Sequence, residues 1–271
     1  MKHSETAFCF RRGDGPGYAL RWFTPTSEVA SAWRERAKKR SLVKILVSLL
    51  TCGRVYRALD ARCAVCGHAT LAAAAALLED GGTVLPISFH TKSGELRVSR
   101  DKGGVMLVIS LPACPPVECP SAAGVELSAS LAAALRCPPP LWIGRSEGLG
   151  DIVAILPTEA DVRAAAPDEA LVKALGGRGV VITSLGDAGA SHDVVSRCFY
   201  PNVGILEDPV TGSAHAAIAP LWEARLGLSS LRCAQASARG GELRASMERD
   251  GFVELAGAHV TVVRGELCVK L

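Results

Sequence analysis

Short apolar-rich runs separated by Gly and Pro dominate the chain, and this pattern predicts strands rather than long amphipathic helices. Thr83 to Thr91, Gly94 to Val98 and Val105 to Leu111, with Gly103-Gly104 before the last, predict a meander of short antiparallel strands. Pro112 to Pro120 (PACPPVECP) predicts a loop, because Pro fixes φ and lacks a donor; Pro138-Pro139-Pro140 predicts another. Strand character resumes at Leu141 to Ile143 and at Ile152 to Leu156. Pro167-Asp168 opens a short helix to Leu175, which Gly176-Gly177 ends. Val180 to Thr183 and Val194 to Tyr200 predict buried strands. Glu242 to Met247 meets Phe252 to Leu255 across Asp250-Gly251, a favoured hairpin turn. His259 to Val263 and Leu267 to Lys270 predict a second hairpin across Arg264-Gly265-Glu266.

Two stretches break this pattern. Gly67-His68-Ala69-Thr70 leads into Leu71 to Leu78, stopped by Gly81-Gly82. Gly212-Ser213-Ala214-His215 leads into Ala216 to Leu226, stopped by Gly227. Both are rich in Ala and Leu, so both predict helices buried nearly all round. Pro220 inside the second predicts a kink or a break. The near-repeat predicts two strand-built lobes, each around one helix, with a cleft between. Each helix opens on Gly, where backbone can approach a ligand, and free N–H groups at a helix start favour an anion. Two such starts facing one cleft suit a small carboxylate.

Composition narrows the function classes. Apolar residues are 49% and charged residues 21%, which argues against disorder. Lys and Arg total 30 against 27 Asp and Glu, and aromatic residues are only 5%, so no nucleic-acid partner is expected. The chain has 10 cysteines in 271 residues, and its start carries no apolar signal core. These features predict mostly reduced thiols in a cytoplasmic protein. Ser41 to Cys52, the longest apolar run, is interrupted by Lys44 and is too short to span a bilayer. The basic cluster before it (Arg34, Arg36, Lys38, Lys39, Arg40) leaves two readings, a membrane-surface helix or an inserted surface helix. The second is the commoner use of a charge run, so no membrane partner is expected.

Glu207-Asp208-Pro209-Val210-Thr211-Gly212-Ser213-Ala214-His215 places two carboxylates just before a helix start. Asp208 is either a cap or an acid/base lining the cleft, with Thr211, Gly212 and Ser213 binding an anion. Cys66-Gly67-His68-Ala69-Thr70 is the mirror site, where a thiol and an imidazole at a helix start suit proton transfer or serve structure alone. Cys63 and Cys66 have the spacing of half a zinc site, but no second pair follows, so no metal is expected. Gly144 to Gly150 (GRSEGLG) lacks a Walker lysine and the dinucleotide spacing, and no G-x-S-x-G elbow occurs.

Several of these strings occur together in one order: Ser4-Glu5-Thr6-Ala7-Phe8, Arg21-Trp22-Phe23-Thr24-Pro25, Cys66 to Ala72, Asp193 to Arg197, Glu207 to His215 and Gln235 to Gly241. In this the chain resembles the phenazine-biosynthesis-like (PhzF) family. The resemblance covers nearly all of residues 1–29 and 64–271, and EDPVTGSAH followed by QxSxRGG is its most specific part. It implies an α+β, diaminopimelate-epimerase-like fold, with two pseudo-symmetric lobes that are each a mostly antiparallel strand barrel around a central helix. The lobes would be 1–140 and 141–271. It implies a cofactor-independent isomerase that moves a proton on a small carboxylate-bearing substrate, and it leaves a homodimer open. Glu5 would be the shuttling acid/base. His68 and Asp208 would help position substrate and proton, and Gly67, Thr211, Gly212 and Ser213 would bind the carboxylate. Cys66 falls where related epimerases keep a catalytic cysteine, but the second such cysteine has no counterpart around Asp208 to Ala214. Two departures stand out. Glu5 lies almost at the start, without the leading segment family members usually carry, and Ala30 to Val65 is an atypical insertion. An incomplete first lobe keeps open a second expectation, a catalytically inactive small-molecule or protein-binding module of the same fold.

Overall fold

The computed structural model describes residues 6–11, 18–23, 67–81, 83–91, 94–248 and 250–261. Glu5, Cys66, the 30–65 insertion and the hairpin expected to close on Leu267 to Lys270 lie outside the described residues. The described residues fall into two compact units, those within 1–109 and 257–271 and those within 110–256.

In the first unit, β1 (Thr6–Arg11) pairs antiparallel with β2 (Tyr18–Phe23), Thr6 opposite Phe23. Helix α1 (Gly67–Glu79) follows. Strand β3 (Ile87–Thr91) then runs parallel to β2, and β4 (Gly94–Arg100) and β5 (Leu107–Pro112) continue antiparallel as the expected meander. Ala73, Ala74, Phe89, Val98 and Leu107 are fully buried there. The alanines keep α1 slim, so its backbone seats closely against β1 and β4. Residues 258–261 form no strand, although one was expected from His259. Thr261 instead donates its hydroxyl to Glu79 Oε1 at 2.6 Å, which ties this segment to the end of α1.

The chain enters the second unit through β5. The loop expected at Pro112 to Pro120 contains a two-residue strand, β6 (Val117–Glu118), which uses two of its non-proline positions to pair. Helix α2 (Ser121–Leu135) follows and ends on Arg136 in the left-handed conformation at φ 51°. Next come β7 (Trp142–Ser146), β8 (Asp151–Ile155), α3 (Glu159–Ala164), α4 (Glu169–Ala174), β9 (Gly179–Leu185) and β10 (Val194–Tyr200). The unit closes with β11 (Ile205–Asp208), α5 (Gly212–Leu226), β12 (Ser230–Gln235), β13 (Gly241–Met247) and β14 (Phe252–Gly257). Strand order is β14-β13-β12-β10-β9-β8-β7-β6, with β11 on the flank of β10. The β8/β9 and β10/β12 pairs are parallel. The expected division near residue 140 falls inside this unit. The reason is local: Ala134 and Leu135 carbonyls at the end of α2 accept Asp168 N–H and Ala166 N–H at 2.8 and 2.7 Å.

Strand β10 is buried at every position and β8 at every position, so both are covered on both faces, with Ser196, Arg197 and Asp151 as their buried polar residues. Leu131, Leu135, Ile152, Leu156, Ile182 and Phe199 form the core with α2 on one side. Each such side chain contributes about 1.5–3 kcal/mol by leaving water. Capping is explicit at the short helices. Thr158 and Asp161 form a capping box on α3, and Asp168 accepts the N–H groups of Ala170 and Leu171 on α4.

Helix α5 is buried without interruption from Ser213 to Ala219, so its first two turns are enclosed on every face. Pro220 does not break it, and the helix runs on to Leu226. Proline lacks the N–H that would reach the carbonyl four residues back, at Ala216. Cys114 N–H, from the segment after β5, donates to that carbonyl at 2.9 Å and satisfies it.

Candidate functional site

The described site residues of the second unit are set by a reversal of the chain. Strand β10 ends at Tyr200, Pro201–Val203 makes one 3₁₀ turn, and Gly204 at φ 82° lets the chain turn back as β11. The β10/β11 register shifts between Cys198 and Tyr200, and Cys198 lies opposite Asp208. Asp208 therefore ends β11 three residues before Thr211, the residue that precedes α5.

Thr211 is held at every polar atom. Its N–H donates to Gln235 Oε1 at 2.7 Å, and its carbonyl accepts from His215 Nδ1 at 2.8 Å. Its hydroxyl donates to Asp208 Oδ2 in a short bond and accepts from Gln235 Nε2 at 3.1 Å. Gln235 Nε2 also donates to the Asp208 carbonyl at 2.7 Å. A Thr in this position ordinarily turns its hydroxyl onto the first-turn N–H groups. Here the hydroxyl is committed to Asp208, and the Thr211 side chain makes no capping bond to the start of α5. The first-turn N–H groups of Gly212 and Ser213 carry the positive end of the helix dipole without the Thr211 hydroxyl on them.

The loop from Asp208 to Thr211 is fixed from β12 and β13 as well. Ser237 Oγ donates to the Pro209 carbonyl at 2.9 Å and accepts Gly240 N–H at 3.0 Å. Gly241 is required by close approach, since a Cβ there would overlap the Val210 side chain. On the other flank, Arg178 Nη1 donates to Ser213 Oγ at 3.1 Å.

The electrostatics follow from burial. His215 is fully buried, and burial holds its imidazole down to about 4, so it is neutral at pH 7. Because Nδ1 faces a carbonyl, the ring proton sits there and Nε2 is left as a buried acceptor without a partner among the described residues. Burial pushes the Cys198 thiol far up despite the Thr211 hydroxyl beside it, so Cys198 is no nucleophile. Burial also raises the Asp151 carboxyl, opposed by its bonds from Arg178.

The adjacent carboxylates Glu207 and Asp208 have different surroundings. Arg197 forks onto Glu207, Nε to Oε1 at 2.7 Å and Nη2 to Oε2 at 3.1 Å. Arg197 Nη1 donates to the carbonyls of Val162, Arg163 and Ala165 at 3.3, 3.1 and 2.6 Å, closing the end of α3. Glu207 thus serves that structural tie, and Asp208 alone is coupled to the start of α5.

Of the residues singled out from sequence, the structure brings Asp208, Thr211, Gly212 and Ser213 together in the second unit. Gly67 and His68 open α1 in the first unit, Gly67 buried and His68 exposed. Glu5 lies outside the described residues. Gln235, His215 and Arg178 were not expected to matter. The strings QASARGG and GSAH did contain the first two, but no spacing rule assigns an amide or a buried imidazole to Thr211. Among the described residues, no group of His, Cys, Asp or Glu is placed to hold a metal ion, and no helix is long and apolar enough to cross a membrane.

The phenazine biosynthesis-like protein family (PhzC-PhzF) matches residues 60–265 of this chain. A Pseudomonas aeruginosa protein named an uncharacterized isomerase is 38% identical over 97% of this chain and 82% of its own length. The human phenazine biosynthesis-like domain-containing protein is 31% identical over 98% of this chain and 85% of its own. Among solved structures, a PhzF-family protein of Enterococcus faecalis superposes with a TM-score of 0.74 at 30% identity, covering 98% of this chain and 83% of that one.

Proposed function

Because the chain belongs to the phenazine biosynthesis-like family, we propose that it is an isomerase that moves a proton on a small carboxylate-bearing substrate by acid/base catalysis. The names of several relatives support the reaction class. The observation that carries the assignment to residues is the commitment of the Thr211 hydroxyl to Asp208, which keeps that hydroxyl off the first-turn N–H groups of α5.

In this reading the substrate carboxylate docks on the Gly212 and Ser213 N–H groups, with Thr211 shaping the loop and Gly67 taking the corresponding place at the start of α1. The helix dipole then stabilises the ligand's charge and whatever negative charge develops as a carbon-bound proton leaves. Asp208 is one proton-transfer group. The Thr211 hydroxyl holds its Oδ2, which fixes the direction from which a proton arrives or departs. Glu5 is the shuttling acid/base and His68 helps position substrate and proton, the roles the sequence resemblance implies.

Incubating the protein in deuterium oxide with a panel of small cyclic amino and hydroxy acids tests the proposal by mass spectrometry. Carbon-bound deuterium should accumulate in at least one substrate, and the Glu5→Gln protein should lose that exchange by on the order of a hundred- to ten-thousand-fold. No exchange with any member of the panel would contradict the isomerase assignment and leave a binding module of the same fold.

A further inference from the structure

We propose that Arg178 is a positioning residue for the carboxylate site, acting through the Ser213 hydroxyl rather than on the ligand itself. This rests on the reading above, in which a carboxylate docks at the start of α5.

The guanidinium of Arg178 is fixed from three sides. Its Nε donates to Asp151 Oδ1 at 2.8 Å, and its Nη2 makes a short bond to Asp151 Oδ2, so the pair is bidentate. The Asp151 side chain is 0% exposed and that of Arg178 only 12%, so the fork is held out of water. The guanidinium also lies over the Tyr200 ring, 4.8 Å from its centroid. Tyr200 is itself seated by Gly179, where a Cβ would collide with the ring. At the base of the side chain, Arg178 N–H donates to the Gly150 carbonyl at 2.7 Å. Fork, stack and backbone leave one direction for Nη1, and it points at Ser213 Oγ at 3.1 Å.

The chemistry follows from the hydroxyl inventory. A Ser oxygen accepts at its lone pairs and donates one proton. With a lone pair held by a charged donor, the hydroxyl cannot turn its proton back toward Arg178. Among the described residues the structure gives that proton no acceptor, so it is available to an anion at the first turn of α5. A hydroxyl that accepts from a cation is also a stronger donor than an isolated one. Arg178 spends its charge on buried Asp151 and its geometry on Ser213. Ser213 is buried in the first turn of α5, and without this bond its hydroxyl would rotate among its wells.

The test is a double-mutant cycle with sodium benzoate as probe, read from the Gly212 and Ser213 amide signals by NMR. Arg178→Lys keeps a cation beside Asp151 but cannot reach Asp151 and Ser213 together, and thermal melts confirm that each variant folds. Benzoate should shift both amides saturably, and benzamide, its neutral counterpart, should not. Arg178→Lys and Ser213→Ala should each raise the benzoate Kd on the order of tenfold, the loss of one charge-directed hydrogen bond. The double variant should also lose about tenfold, because each substitution breaks the same path. A double variant that loses about a hundredfold would overturn the proposal, since Arg178 would then act independently of Ser213. An unchanged Kd in Arg178→Lys would overturn it as well. A parent protein whose Gly212 and Ser213 amides do not respond to benzoate would refute the carboxylate reading itself, and this proposal with it.

Discussion

Gln235 Oε1 accepts the Thr211 N–H at 2.7 Å, while Gln235 Nε2 donates to the Asp208 carbonyl at 2.7 Å. One amide, 1% exposed at the end of β12, thereby fixes the distance between Asp208 and the start of α5. Replacing it by Leu keeps the approximate volume and removes these two bonds and the one from Nε2 to the Thr211 hydroxyl, leaving the buried Thr211 N–H without its acceptor. Gln235→Leu should cost about 2–4 kcal/mol of stability, measured by urea denaturation. A loss near zero would show that the loop holds its place without Gln235.

Glu207 and Asp208 should separate cleanly by mutation. Glu207→Gln weakens the Arg197 fork and its tie to the end of α3, and should cost about 1–3 kcal/mol. Proton exchange per folded molecule should stay close to that of the parent protein. Chemical denaturation gives the first quantity and deuterium incorporation the second.

His215 predicts an acid limb in the stability curve. Its folded value of about 4 lies below the ordinary 6.5, so between these pH values the unfolded chain binds more protons than the folded one. The stability it protects is complete above about pH 6.5 and is lost as pH falls toward 4, a total of about 3 kcal/mol. Glu159, held down to about 2 by Asp187 N–H, Arg163 and His192 against the raising effect of burial, titrates in a lower window and does not confuse the two. His215→Asn should flatten the pH 6.5 to 4 limb in denaturation midpoints. A limb of unchanged depth in that variant would assign the titration elsewhere.

Much of this architecture is visible in local sequence. Val194 to Tyr200 is bounded as expected, because β-branched and aromatic residues at both ends suit a strand buried on both faces. The helix starts at Gly67 and Gly212 and the Asp250-Gly251 hairpin are likewise local signals. Helix α2 escaped notice because its stretch SAAGVELSASLAAAL mixes Gly, Ser and Ala with few large apolar side chains, so no stripe stands out. Pro220 leaves α5 unbroken for a reason that is not local. Its missing donor is replaced by Cys114, a partner over a hundred residues away in the chain, and no local rule reveals that bond. The same holds within the site: Asp208, Thr211, Gly212 and Ser213 are contiguous and legible as a motif. Gln235 and Arg178 act on them from other strands, and only the fold shows what they touch.

The most direct measurement is the rate of solvent-deuterium incorporation by Asp208→Asn against the parent protein, with the substrate that the panel identifies. Asn keeps the size and the ability to accept from the Thr211 hydroxyl, but it cannot carry the proton. The exchange rate should fall on the order of a hundred- to ten-thousand-fold with the fold intact. An Asp208→Asn protein that exchanges at the parent rate would contradict the assignment of Asp208 to proton transfer and reduce it to a tether for the start of α5.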